Sequence, residues 1–99
     1  VKYATAFVIM PGGLGTMDEL TEVLTLIQTK KIKPFPVVLF NSSFWRGYLE
    51  WLQNTVLVSG YISESDLQLL RLCDQPEEVV DIVSSWYLRQ AIVGRRAID

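Results

Sequence analysis

The sequence contains no histidine. That removes Ser-His-Asp and Cys-His catalysis, and every histidine-ligated metal site that this chain could build alone. It contains one cysteine, Cys73, which excludes an intrachain disulfide framework and a thiolate zinc site. Cys73 closes the apolar stretch LRLC and reads as a buried structural thiol. No apolar run reaches the length of a membrane span, and no signal peptide is visible. One unpaired cysteine without an export signal makes the cytoplasm the expected address. Charge is scarce as well. The net charge of −2 over 99 residues gives no reason to expect nucleic acid or an anionic membrane as a partner. Lys30, Lys31 and Lys33 form one small basic cluster, expected to be a solvated helix end.

What the sequence has in quantity is apolar surface. Hydrophobic residues make up 49% of the chain, rich for one modest domain, so many positions are expected to be buried on both faces. Residues 4–10 (ATAFVIM) form a continuous apolar run ended by Pro-Gly-Gly, as suits a strand covered on both sides. A helix is expected over residues 17–30, with Thr16 as its cap and Met17, Leu20, Val23, Leu24 and Ile27 on one face. Pro34 disfavours helix just before it.

Residues 36–40 (PVVLF) read as a second buried strand, followed by a turn and cap at Asn41 and Ser42. An amphipathic helix over residues 44–58 carries Phe44, Tyr48, Trp51 and Leu52 as an expected core stripe. Ser63 and Asp66 resemble a capping pair opening a short helix. Residues 70–73 read as a third strand. The last helix starts with Asp74 as cap and Pro76 in its first turn, with Val79, Ile82, Val83 and Trp86 inward. Residues 91–99 are expected to be a loose tail.

The order β-α-β-α-α-β-α indicates an α/β fold with a parallel sheet and right-handed crossovers. Three strands make a thin sheet with an open apolar edge, a liability unless further strands or a partner cover it. The chain also enters its first strand almost at once, without an initiator methionine. Both features suggest the carboxyl-terminal portion of a single larger domain. In such sheets ligands bind outside the carboxyl ends of the strands, where the loop after Met10 lies.

That loop, PGGLGT, precedes a helix whose first turns carry Asp18, Glu19 and Glu22. Gly12, Gly13 and Gly15 allow close backbone approach, and a helix N-terminus offers unpaired N–H groups to an anion. Thr16 can add a hydroxyl. The pattern lacks the lysine of a Walker loop and is too short for the dinucleotide fingerprint. For Glu19 two readings stand side by side. Thr16 to Glu19 fits a capping box. Glu19 and Glu22 also sit about 60° apart around the helix, on one side near the loop, with Glu19 expected to be half-buried. Paired acids repel a phosphate dianion but suit sugar hydroxyls and a positive charge that develops during reaction. Loop and acids together suggest a sugar phosphate or nucleotide.

Residues 11–19, PGGLGTMDE, match the signature PGGxGTxxE without a departure. On it the chain resembles the LONELY GUY (LOG) family of cytokinin riboside 5′-monophosphate phosphoribohydrolases, whose bacterial relatives often carry the label lysine decarboxylase. ELTEVLTLIQTKKIKPFPVVLF, GYIS and DQPEEVVDIV are similar too, so the likeness covers about residues 3–86. The resemblance implies a Rossmann-like three-layer α/β fold, of which residues 1–99 are the C-terminal half. It also implies a homodimer with pockets near the subunit interface. The implied reaction is hydrolysis of the N-glycosidic bond of a nucleoside 5′-monophosphate, giving free base and ribose 5-phosphate.

By the same resemblance Glu19 is the catalytic glutamate. Gly12, Gly13, Gly15 and Thr16 form the phosphate loop, and Glu22 is a ribose-side acid. No metal or organic cofactor is expected. The family's first half, with a further nucleotide-binding loop and a catalytic arginine, has no counterpart in these residues. Two other readings are therefore a nucleotide-binding or carrier module without turnover, and an inactive truncated domain. A lysine decarboxylase of the pyridoxal type needs a Schiff-base lysine in a shaped pocket. Lys30, Lys31 and Lys33 lie at the far end of the helix from the glycine loop.

Overall fold

The computed structural model describes the backbone of residues 6–98 and the side chains of residues 6–90. Its elements are β1 (Phe7–Ile9), α1 (Leu14–Gln28), β2 (Val37–Phe40), α2 (Ser42–Trp51), a π-helical turn (Leu52–Val56), α3 (Glu64–Leu67), β3 (Leu70–Cys73) and α4 (Pro76–Ile98). The strands form one parallel sheet in the order β1-β2-β3. Phe7 pairs with Val37, and Val37 with Leu70. This is the expected α/β arrangement. Residues 4 and 5 of the first expected strand lie outside the described residues.

Strand side chains alternate between faces. Ile9, Val37, Leu39 and Leu70 point one way. They join Leu20 and Ile27 of α1, Trp45 of α2, Leu52 of the π-turn and Leu67 of α3 in one buried cluster. The opposite face carries Val38, Arg71 and Cys73. There α4 packs against β3, with Asp81, Ile82 and Trp86 lining a recess shared with Pro36 and Arg71. Coverage on this face is uneven. Val38 is fully buried, whereas Val8 of the edge strand β1 is 42% exposed. The sheet is thus finished at β2 and β3 and bare at β1.

Several local expectations change. Helix α1 begins at Leu14 with Gly13 as cap, and no side chain caps it. Thr16 lies inside the helix. The Gly13 carbonyl accepts from the Met17 N–H at 3.1 Å, so helical bonding starts three residues before the expected cap. In α2 the buried aromatic is Trp45, while Phe44 and Trp51 are 43% and 55% exposed. Asn41 holds a left-handed conformation with φ of 81° and caps α2. Starting the helix at Ser42 turns Trp45, Tyr48 and Leu52 inward at i, i+3 and i+7. Near its end the ladder shifts to i+5, with the Leu57 N–H donating to the Leu52 carbonyl at 2.8 Å, the π-helical pattern.

Ser63 and Asp66 do form a complete capping box. Asp74 does not cap α4. Glu78 reaches back to accept the Asp74 and Gln75 N–H groups, both at 2.9 Å. The Asp74 carboxylate instead holds Ser42. The backbone of α4 continues to Ile98, so residues 91–98 of the segment expected as a loose tail are helical. Ala91, Ile92, Arg95 and Arg96 are helix-compatible residues, and Gly94 is a tolerable cost within a long helix.

Candidate functional site

Gly12 and Gly13 occupy the turn between the carboxyl end of β1 and the start of α1, and Gly15 and Thr16 stand in the first turn of that helix. The helix opens without a side-chain cap, so its first N–H groups face outward with the positive end of the helix dipole. Gly12 is required by a close approach. A Cβ there would lie 2.9 Å from the Thr16 Cβ and closer still to its hydroxyl oxygen. Gly13 and Gly15 face open space, with nothing within 4 Å of a built Cβ. The loop is therefore a folded cradle, closed beneath by Thr16 and open above.

The early helix start removes the capping-box reading of Glu19. With Gly13 as cap, Glu19 stands in the second turn, and no acid occupies the first. The capping box expected between Thr16 and Glu19 is absent. The side chains of Glu19 and Glu22 are both exposed rather than half-buried in the first case. Among the described residues Glu19 caps no helix.

Helical geometry places the two acids. At about 100° per residue, Gly15, Glu19 and Glu22 fall within about 60° of one another along one flank of α1. Thr21, Leu24, Thr25 and Gln28 mark the other flank, where they line an apolar cavity of about 230 Å³ against the π-turn and α3. Glu19 and Glu22 face away from that cavity. Loop and acids thus share one side of the molecule, at the carboxyl end of the edge strand. The opposite wall of the site is not formed by the described residues.

The neighbouring positions along the carboxyl edge belong to Asn41 and Asp74, which follow β2 and β3. Sequence reading assigned them only caps. Asp74 accepts from the Ser42 N–H at 2.9 Å and from the Ser42 hydroxyl at 2.7 Å. Those bonds hold its carboxyl below the usual carboxylate range, with a smaller contribution from the Arg46 charge. The Asn41 N–H donates to the Cys73 carbonyl at 2.7 Å. This network stiffens the edge beside the loop. The polar spacing of Asn41, Ser42 and Asp74 was visible in the sequence, but their pairing across 32 residues was not. Cys73 is buried, and burial first, then the Glu78 and Asp74 charges, push its thiol pKa up. A raised pKa leaves it little thiolate, as expected of a structural cysteine. Among the described residues no three acidic or cysteine side chains converge to hold a metal ion.

A glycine loop after a parallel strand, with paired acids on the following helix, defines the class: an α/β protein with a glycine loop at the carboxyl edge of its parallel sheet. The family model described as "possible lysine decarboxylase" matches residues 1–83, and the chain belongs to this LOG-type family. Among curated relatives it is 34% identical over 80 residues to the cytokinin riboside 5′-monophosphate phosphoribohydrolase LOG of rice, Oryza sativa subsp. japonica. That match takes in 80% of this chain and 32% of the relative. It is 29% identical over 96 residues to the corresponding LOG1 enzyme of Arabidopsis thaliana, covering 96% of this chain and 44% of the relative. A bifunctional cytokinin biosynthesis protein of Fusarium pseudograminearum is 38% identical over 77 residues, 77% of this chain and 15% of that one. The chain spans less than half the length of each of these relatives.

Proposed function

We propose that the protein to which this chain belongs hydrolyses the N-glycosidic bond of a nucleoside 5′-monophosphate in the cytoplasm, releasing free base and ribose 5-phosphate. The observation that carries this reading is the shared flank of Gly15, Glu19 and Glu22, with Glu19 free of any capping role. Uncapped N–H groups and the Thr16 hydroxyl suit the 5′-phosphate. From there the flank runs about 6 Å along the axis to Glu19 and about 10 Å to Glu22, the reach of a ribose attached to that phosphate. The names of the relatives support the same substrate class.

The chemistry follows from charge. As the C1′–N bond breaks, its electron pair leaves with the base, which takes up a proton. Positive charge grows on C1′ and the ring oxygen. A carboxylate fixed beside it stabilises that charge more than it stabilises the neutral ground state, which lowers the barrier. We assign this to Glu19. Water then supplies hydroxide to C1′ and its remaining proton to a base. Glu22 accepts hydrogen bonds from ribose hydroxyls. The wall facing these acids comes from residues beyond those described here or from a second copy in a homodimer. Decarboxylation of lysine through a pyridoxal Schiff base finds no support. Lys30 lies past the end of α1, whose last residue Gln28 is already about 20 Å along the axis from Gly15.

The test is incubation of the full-length protein with AMP and with N6-isopentenyl-adenosine monophosphate, followed by chromatography for free base and ribose 5-phosphate. Release from either substrate is expected. Saturable binding of both without any product would favour a nucleotide-binding module in place of an enzyme.

A further inference from the structure

The second charged feature of the molecule lies at the opposite end of the sheet. An open groove of about 720 Å³ runs along the amino ends of β2 and β3. Lys30, Lys31, Lys33, Arg71, Arg89 and Trp86 line it. Five of the nine basic residues of an acidic chain are therefore gathered at one groove. The acid among its walls, Asp66, is already engaged, accepting the Ser63 N–H at 2.9 Å. A recess of about 220 Å³ adjoins the groove and shares Arg71, Trp86 and Arg89 with it, adding Asp81.

Complementing the α1 dipole explains cations at residues 30–33. It does not explain Arg71, which comes from β3, or Arg89, which comes from α4. A second observation concerns Lys30 itself. The end of α1 is a Schellman motif. The Lys31 N–H reaches the Leu26 carbonyl at 2.9 Å, and the Lys30 N–H reaches the Ile27 carbonyl at 3.0 Å. The position with left-handed φ, 62°, is occupied by Lys30, where glycine would carry no steric cost. The strained residue sets a cation on the groove wall.

The volume is that of a small-molecule site rather than a track for a nucleic-acid strand. Cations drawn from three elements suit a chain of phosphates better than one phosphate, and an indole between them offers a stacking surface for a planar base. We propose that this groove binds a nucleoside di- or triphosphate, its phosphates on the lysines and arginines and its base against Trp86. The site is separate from the glycine loop and does not rest on the reaction proposed there.

Calorimetric titration of the full-length protein with tripolyphosphate and with ATP tests it. Both probes should bind saturably, ATP at least threefold more tightly. The double variant Arg71→Gln/Arg89→Gln, which alters exposed side chains, should weaken both at least tenfold. Gly15→Asp, which sets a carboxylate in the other site's cradle, should leave them unchanged. Trp86→Leu should remove the preference for ATP, and the arginine variant carries the test if that protein fails to fold. Four results would each overturn the proposal: no saturable binding, binding unaffected by the arginine variant, binding abolished by Gly15→Asp, or a single-stranded RNA oligonucleotide bound more tightly than ATP at these residues.

Discussion

The Met17 N–H donates to the Gly13 carbonyl at 3.1 Å, and this bond decides how Glu19 is to be understood. It starts α1 at Leu14, puts Thr16 inside the helix and leaves Glu19 with no cap to close. Glu19→Gln should therefore change stability by less than about 0.5 kcal/mol, as for an exposed residue without structural partners. Chemical denaturation checks this. A loss above 1 kcal/mol, typical of a broken cap, would return Glu19 to a structural role.

The glycines of the loop should separate by substitution. Gly12→Ala drives a Cβ into Thr16 and is expected to cost about 1–3 kcal/mol, as overpacking does. Gly15→Ala meets nothing within 4 Å and replaces glycine within a helix, so it should stabilise by about 0.5–1 kcal/mol. The added methyl stands at the cradle, so nucleotide affinity should fall even as the melting temperature rises. Paired melts and titrations of the two variants read both effects.

Asp74 gives a pH signature. Its folded pKa is lowered by the two bonds from Ser42. The stabilisation is therefore complete above the unfolded carboxylate pKa, about 3.9, and fades as pH falls through the lower folded value. Asp74→Asn should melt below wild type at pH 6, and the gap should close in melts taken from about pH 4 down to 2. A gap that stays constant over that range would show that the bonds to Ser42 do not depend on the charge.

Trp45 tests the core. It is fully buried, and its indole N–H has no partner among the described residues. Trp45→Ala should cost about 3–5 kcal/mol. Trp45→Phe removes the unpaired N–H along with some volume, and the two effects offset. Its cost should stay under about 1.5 kcal/mol. Denaturant midpoints of the two variants give the comparison.

The strands were legible because continuous apolar runs between turn residues leave little else, and β2 and β3 fall within the runs PVVLF and LRLC. The capping box of Ser63 and Asp66 was legible because both partners lie within one turn. Thr16 misled for the same reason: the local pattern fits a cap, but glycines can start a helix earlier when the chain turns tightly after β1. Asp74 was misread because its partner, Ser42, is distant in sequence and near only once β2 and β3 pair. Phe44 and Trp51 were assigned to the core by spacing alone, and the one-residue shift from Phe44 to Trp45 depended on where Asn41 turned the chain. In the site, the residue types were legible and their shared flank followed from helical periodicity. That the loop follows an edge strand required the sheet order.

The most direct measurement is a single-turnover assay of the full-length protein with AMP and N6-isopentenyl-adenosine monophosphate, comparing wild type with Glu19→Gln. The expected result is free base and ribose 5-phosphate in equal amounts from wild type, with the rate in Glu19→Gln at least a hundredfold lower and the melting temperature unchanged. Equal rates in the two proteins, or no product from wild type despite saturable nucleotide binding, would contradict it.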